Sequence, residues 1–386
     1  MDVSIFSYRD LGTNVGQTLT YTAEGFFKEG VLQQVYCRGN IKTSLPDSKV
    51  TKPIPFGRYG PSFLWLLNKY VYPFDHRTHS MNLLDIFSKR KVSSDTADIH
   101  YYEIPGLKRS LNESISGGHE TVIVGGTELA SAALDRREQE YRKWDLDLEI
   151  PSTKRNLANR REETIRDVDH LIALSGFVKE SYAKAGISAN KIEVINQAVD
   201  PDKFSPGKSN EDEMFRGLFV GSVNLMKGIP YLLDGWRQAG FAADESAELV
   251  LCGNINPDAK YIIEDKRPTN LQLPGWVDPL PYYRDASVFI FPSLTEGFAK
   301  VILEAMSTGT PVIVSENSGG ADIITDSEDG FVVPAYDAGE IASKLQYLRE
   351  NPKELERMGD AARNTAKERT WGKFVDEVIY YLKDIL

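Results

Sequence analysis

The chain has 386 residues, more than one hydrophobic core usually organises, so two domains are expected. Its formal net charge of −11 argues against general nucleic-acid binding. The two cysteines, Cys37 and Cys252, give neither a metal spacing nor a disulfide framework, which suits a reducing, cytoplasmic setting. No apolar run reaches the ~20 residues needed to span a bilayer, and MDVSIFSYRD lacks a signal-peptide core. The charge is uneven: residues 1–197 hold 26 Lys and Arg against 25 Asp and Glu, and the remainder 19 against 31. A first half facing an anionic acceptor or a lipid surface would fit this asymmetry, as would plain drift of surface charge.

In chain order, Val3 to Ser7 reads as a first strand. Gly12 and Gly16 flank a polar turn, and Thr18 to Lys28 reads as a helix. A Gly turn after a first strand can approach a ligand, although G-x-G-x-x-G is absent and a plain connector reads equally well. Residues 56–74 are rich in aromatic and apolar groups. They read as a core helix, with a membrane-docking helix flanked by Arg58, Lys69 and Arg77 as the alternative. His76 and His79 lack a third metal ligand and are read as loop residues.

DIHYYE reads as a strand end carrying His100, for which a satisfied structural histidine is the alternative to a site role. TVIVGGTELA reads as strand, Gly turn and helix start, with Thr127 a candidate cap. A charged helical stretch runs from about Glu128 to Val168. Asp145-Leu-Asp147 lies between charged helices and not behind an apolar strand, so it is discounted as a metal motif. HLIALS, a helix to Gly186 and KIEVIN complete the half.

The polar, Pro-containing stretch from Asn196 to Glu213 is the clearest boundary. It divides the chain into 1–197 and 198–370, with Trp371 to Leu386 a separate amphipathic helix. Phe215 to Gly240 reads strand, Gly loop, helix, with Lys227 and Gly228 just before the helix N-terminus. A lysine there suits a diphosphate. The β-α alternation then continues to VFIFP and SLTEGFAKVILEAMSTGTPVIVSENSGG. Here Glu296 opens a helix turn and Glu304 follows eight residues later, ~12 Å along the helix. The plain reading makes Glu296 a complement to the helix dipole and Glu304 a solvated residue. β-α alternation in both halves argues an α/β protein of two Rossmann-like domains facing one cleft.

The stretch Pro292, Ser293, Glu296, Gly297, Phe298, Glu304, Ala305, Met306, Gly309, Pro311 to Ile313, Gly319 and Gly320 resembles the signature of glycosyltransferase family 4, of GT-B fold. Val199, Asp200, Phe204 and Pro206 resemble the family's linker, and Gly275, Trp276 and Val277 its base-binding turn. Gly221 and Lys227 match its phosphate loop, but Ser222 stands where the family has Arg, and Ala299 replaces a Gly. Losing that Arg weakens the expected hold on a leaving diphosphate.

The resemblance implies retaining transfer of a hexose from a nucleotide diphosphate sugar, UDP favoured over GDP. The acceptor would be a saccharide, a lipid-linked sugar or a small molecule. It gives Glu296, Lys227 and His100 catalytic roles. It places Glu304, Gly297, Phe298, Ala299, Ser222, Gly221, Val277, Gly12 and Gly16 against the donor. The leaving phosphate would help deprotonate the acceptor, so no protein base is expected, and Lys227 with the helix amides would neutralise the diphosphate, so neither metal nor other cofactor is expected. The C-terminal helix would cross back onto the first domain, and peripheral membrane contact through that domain is allowed. A GT-B-fold epimerase, a catalytically silent scaffold and, more weakly, a Rossmann oxidoreductase are the other readings.

Overall fold

The structure is a computed structural model and describes residues 1–13, 15–54, 76–148, 150, 152–207 and 214–386. Both readings of residues 56–74 therefore fall outside the described residues. The first half contains β1 (Val3–Phe6), β2 (Asp10–Leu11), α1 (Gln17–Lys28), β3 (Leu32–Tyr36), β4 (Gly39–Asn40), β5 (Val50–Thr51), α2 (His76–Val92), β6 (Ile99–Tyr102), α3 (Lys108–Ser116), β7 (Glu120–Gly125), α4 (Ala130–Lys143), α5 (Ser152–Asp167), β8 (His170–Ala173), α6 (Gly176–Lys184) and β9 (Ile192–Val194). The second half contains β10 (Phe215–Val220), α7 (Ile229–Gln238), β11 (Ala247–Cys252), α8 (Pro257–Lys266), β12 (Leu271–Gly275), α9 (Leu280–Asp285), β13 (Val288–Phe291), α10 (Lys300–Ser307), β14 (Val312–Ser315), β15 (Gly330–Val333), α11 (Ala338–Glu350), α12 (Pro352–Lys367) and α13 (Trp371–Asp384).

Seven strands form one sheet in the order β5-β3-β1-β6-β7-β8-β9, and six form another in the order β12-β11-β10-β13-β14-β15. All pairings in both are parallel. Parallel strands need crossovers, and crossover helices cover both sheet faces. That is why Val288 to Phe291 are buried without alternation. Each sheet is doubly wound. The chain steps outward one way from β1, then restarts beside it at β6. It does the same from β10 and β13. At each reversal the loops splay apart at the carboxyl ends of the strands, where ligands of open α/β sheets bind.

Two crossings join the halves, and they pair with one another: the Val199 amide donates to the Arg369 carbonyl at 2.9 Å. Beyond Thr370, α13 lies on α1 of the first half. Trp371 stacks on Tyr21 with ring centroids 4.6 Å apart, and Phe374, Val375 and Val378 are buried. The terminal helix thus crosses back as expected.

Two local expectations are corrected. His76 and His79 belong to the first turn of α2, not to a loop. Thr127 does not cap the next helix, which starts at Ala130 behind Leu129; the Thr127 carbonyl instead accepts from the Tyr182 hydroxyl at 2.9 Å. The charged stretch 128–168 is two helices, α4 and α5, with Asp145 at φ 51 between them, as the sequence suggested. The break is used: α4 leans on the second half. Tyr141 donates to Asp258 at 2.7 Å, Tyr231 donates to Glu140 at 2.6 Å, and Lys143 donates to Tyr231 at 2.7 Å.

Candidate active site

Lys227 follows β10 and Glu296 follows β13, so the reversal of the second sheet brings them together. Their side chains form an ion pair, each about one-fifth exposed. The backbone fixes both. The Asn224 side chain accepts from the Lys227 amide at 3.0 Å, and the Leu294 amide donates to the Met226 carbonyl at 2.9 Å. Gly228, at φ +73, lies so close to the end of β13 that a Cβ would come within 1.9 Å of the Pro292 carbonyl oxygen. Only glycine allows that approach and that φ together. The Glu296 amide donates to Asn317 at 3.0 Å and its carbonyl accepts from Gly319 at 2.9 Å, locking the turn to the loop after β14.

The helix begins at Lys300 and not at the Glu296 turn, so Glu304 lies one turn into α10, where it accepts from the Tyr283 hydroxyl at 3.0 Å. Burial pushes its carboxyl above the usual carboxylate range, against the Tyr283 hydrogen bond and the charges of Lys300 and Lys203. It is therefore no freely solvated helix residue. Lys300, the first residue of α10, reaches across to the first half. Its ammonium donates to Gln17 Oε1 at 2.8 Å.

The reversal of the first sheet faces this turn. Arg9, after β1, pairs with Glu103, after β6, at 2.6 Å, and Ser7 donates to the same carboxylate at 2.8 Å. Burial raises the Glu103 pKa, against the charge of Arg9 and the hydrogen bonds of Ser7 and Arg9. Each sheet reversal thus carries one cation and one carboxylate. The halves touch where the Gly turn after β7 meets the turn after β13: a Cβ on Gly297 would sit 2.0 Å from the Gly126 carbonyl oxygen. Beside it, Asp322 accepts from the Gly176 amide and from Asn196 Nδ2.

The other residues singled out in the sequence divide. Gly16 is the N-cap of α1, next to Gln17. Gly12 is turned to its own domain, against the Lys42 backbone. Gly221 follows β10, and its amide donates to the Cys252 carbonyl at 2.9 Å. Ser222 donates to Asn256 at 3.2 Å. Phe298 packs its ring into the core and Ala299 caps α10, leaving their backbone at the turn. Gly275 accepts from the Gly253 amide at 2.7 Å, with Val277 half-buried behind an exposed Trp276.

His100 is the correction. It lies inside β6, fully buried, two residues short of the strand's carboxyl end. Its ring nitrogens meet Ser114 at 2.6 Å and Asp95 at 3.4 Å, and it stacks on His119. It serves the core and not the cleft. Arg9, Glu103 and Lys300 are the cleft residues that sequence reasoning missed, and Tyr283, fully buried, holds Glu304 from behind. Charged residues directly behind two apolar strands, SYR and YYE, were the available signal.

Residues 200–365 match the model of glycosyl transferases group 1. Over those residues the chain is similar to the glycosyl transferases group 1. The Staphylococcus aureus capsular polysaccharide biosynthesis glycosyltransferase CapM is 24% identical over 228 residues, covering 54% of this chain and 59% of that one. The Escherichia coli UDP-Gal:alpha-D-GlcNAc-diphosphoundecaprenol alpha-1,3-galactosyltransferase is 32% identical over 191 residues, covering 44% and 46%. The chain thus spans about half the length of the curated relatives it matches. Among solved structures, Anabaena Alr3699/HepE in complex with UDP superposes with a TM-score of 0.69 over 100% of both chains at 14% identity. Sucrose-phosphate synthase from Thermosynechococcus elongatus gives 0.70 over 100% and 99% at 16% identity. The chain therefore has the GT-B fold.

Proposed function

We propose that this chain transfers a hexose from a UDP-sugar to an acceptor hydroxyl with retention at the anomeric carbon and without a metal. The observation that carries the reading is the meeting of Lys227 and Glu296 at the reversal of the second sheet, opposite the Gly126 turn. The complexes of a structural neighbour with UDP and with UDP-glucose support a uridine donor. In this reading Glu304 takes the ribose hydroxyls. Lys227 and the amides of the 297–299 turn take the diphosphate, and Glu296 takes the sugar.

The sugar C1–O bond breaks with its electron pair passing to the β-phosphate oxygen. The acceptor oxygen bonds to C1 on the same face, and its proton passes to that phosphate oxygen. Charge grows on the leaving diphosphate during this step. Fixed donors aimed at it stabilise the transition state more than the ground state. The lipid-linked substrate named for the Escherichia coli relative supports a saccharide or lipid-linked acceptor. Among the described residues no helix is long and apolar enough to cross a membrane.

The test is turnover of UDP-, GDP- and ADP-sugars with EDTA present, with a panel of saccharide and lipid-linked acceptors, and NMR of the product's anomeric configuration. Transfer from a UDP-sugar with retention is expected. Epimerisation of the donor without acceptor, or an inverted product, overturns the reading.

A further inference from the structure

Lys300 breaks the local rules. It opens α10, where the positive end of the helix dipole disfavours a cation. Burial, the largest influence, pushes its pKa below the usual lysine value, and Arg9 and Lys203 push the same way against Glu304 and Glu103. No described carboxylate pairs with it. Its ammonium donates to the neutral Gln17 amide oxygen at 2.8 Å and lies 6.0 Å from the centre of the Trp371 ring. A half-buried ammonium without an ion pair is poorly satisfied unless an anion joins it.

A second observation points to the same place. Gln17 is the first residue of α1, as Lys300 is of α10, and the two helices start on opposite sides of the cleft. Neither start has a side-chain cap, and neither first turn holds an acidic residue. The Lys300–Gln17 hydrogen bond therefore joins two positive helix ends that no acidic side chain of either first turn answers. Ser222, meanwhile, brings no charge to the loop after β10, and its hydroxyl is engaged by Asn256.

We propose that Lys300 is the second cation on the donor's diphosphate, supplying from the first turn of α10 the charge that Ser222 does not. The inference rests on the donor site proposed above. On binding, the ammonium exchanges Gln17 for a phosphate oxygen, so the group that links the two halves also holds the leaving group.

The test is calorimetric binding of UDP and of uridine to the full chain and to Lys300→Met, Lys300→Gln and Lys300→Arg. Loss of a charge-assisted contact should weaken UDP by about tenfold or more in the Met and Gln variants. Uridine should be unaffected and Arg should largely restore UDP. Lys300→Gln keeps a donor for Gln17 but no charge, so a merely structural link would leave its UDP affinity intact. UDP binding by the Met and Gln variants equal to that of the native chain overturns the role of Lys300 and leaves the donor site standing. Failure of the native chain to bind UDP, GDP or ADP overturns the donor site itself, and Lys300 with it. Uridine binding and the unfolding midpoint of each variant report an intact fold.

Discussion

Lys227 and Glu296 hold one another, ammonium to carboxylate, across the reversal of the second sheet. A diphosphate must draw Lys227 away from that partner. Glu296→Gln removes the competitor, so it should bind UDP at least as tightly as the native chain while transfer falls by about 100-fold. Lys227→Met should weaken UDP by about tenfold or more. Calorimetry and turnover on the two variants separate binding from chemistry. Equal loss of UDP affinity in both would mean that Glu296 acts only by positioning Lys227.

Gly228 offers the same test without touching a charge. Gly228→Ala places a methyl against the Pro292 carbonyl at a positive φ, so the loop must shift and carry Lys227 with it. UDP affinity should fall as in Lys227→Met while uridine binding holds. Unchanged UDP affinity would show that the loop tolerates the shift.

How much of this was legible in the sequence differs from residue to residue. The strand–helix–strand unit from Val288 to Ser315 shows in local periodicity, and Glu296 and Lys227 lie in loops that the doubly wound topology must bring together. Arg9 and Glu103 are 94 residues apart, and only the pairing of β1 with β6 makes them neighbours. The site role of His100 rests on the resemblance alone, because a four-residue strand buried throughout has no alternation to show which side chains reach the rim; the structural alternative is the one found. Thr127 looked like a cap because its residue type is right, but its carbonyl is held by Tyr182 from another helix.

Lys300 should make stability depend on pH. Its pKa is lower in the folded chain than in the unfolded one, so the unfolded chain keeps its proton to higher pH. The penalty for the charged group is complete below the folded pKa and fades as pH rises through it. Lys300→Met should therefore unfold at a higher temperature than the native chain at neutral pH, with the gap narrowing in alkali. A gap that does not change with pH would argue against a penalised charge.

Asp95 should act at the acid end. Burial opposes its ionisation, but hydrogen bonds from His100, the Ala97 amide, Tyr36 and Ser4 outweigh that and hold its pKa at about 2, below the ordinary 3.8. This stabilisation is complete above the ordinary value and is lost as pH falls toward 2. Asp95→Asn should destabilise the first half by about 2 kcal/mol at neutral pH, an order-of-magnitude figure, and by little near pH 2. Urea unfolding at both pH values measures it, and an equal loss at both would assign the effect to packing alone.

Helix α13 covers α1, yet a ribosome makes the two far apart. The whole of the second sheet is synthesised between Lys28 and Trp371, tens of seconds of elongation at about 5–20 residues per second. Until then Tyr21 and the flank of α1 at Gly25 lack the Trp371 and Val375 surfaces that close over them. The first-made domain thus waits on the last-made helix, and a nascent chain stalled before residue 371 would display that apolar flank to chaperones.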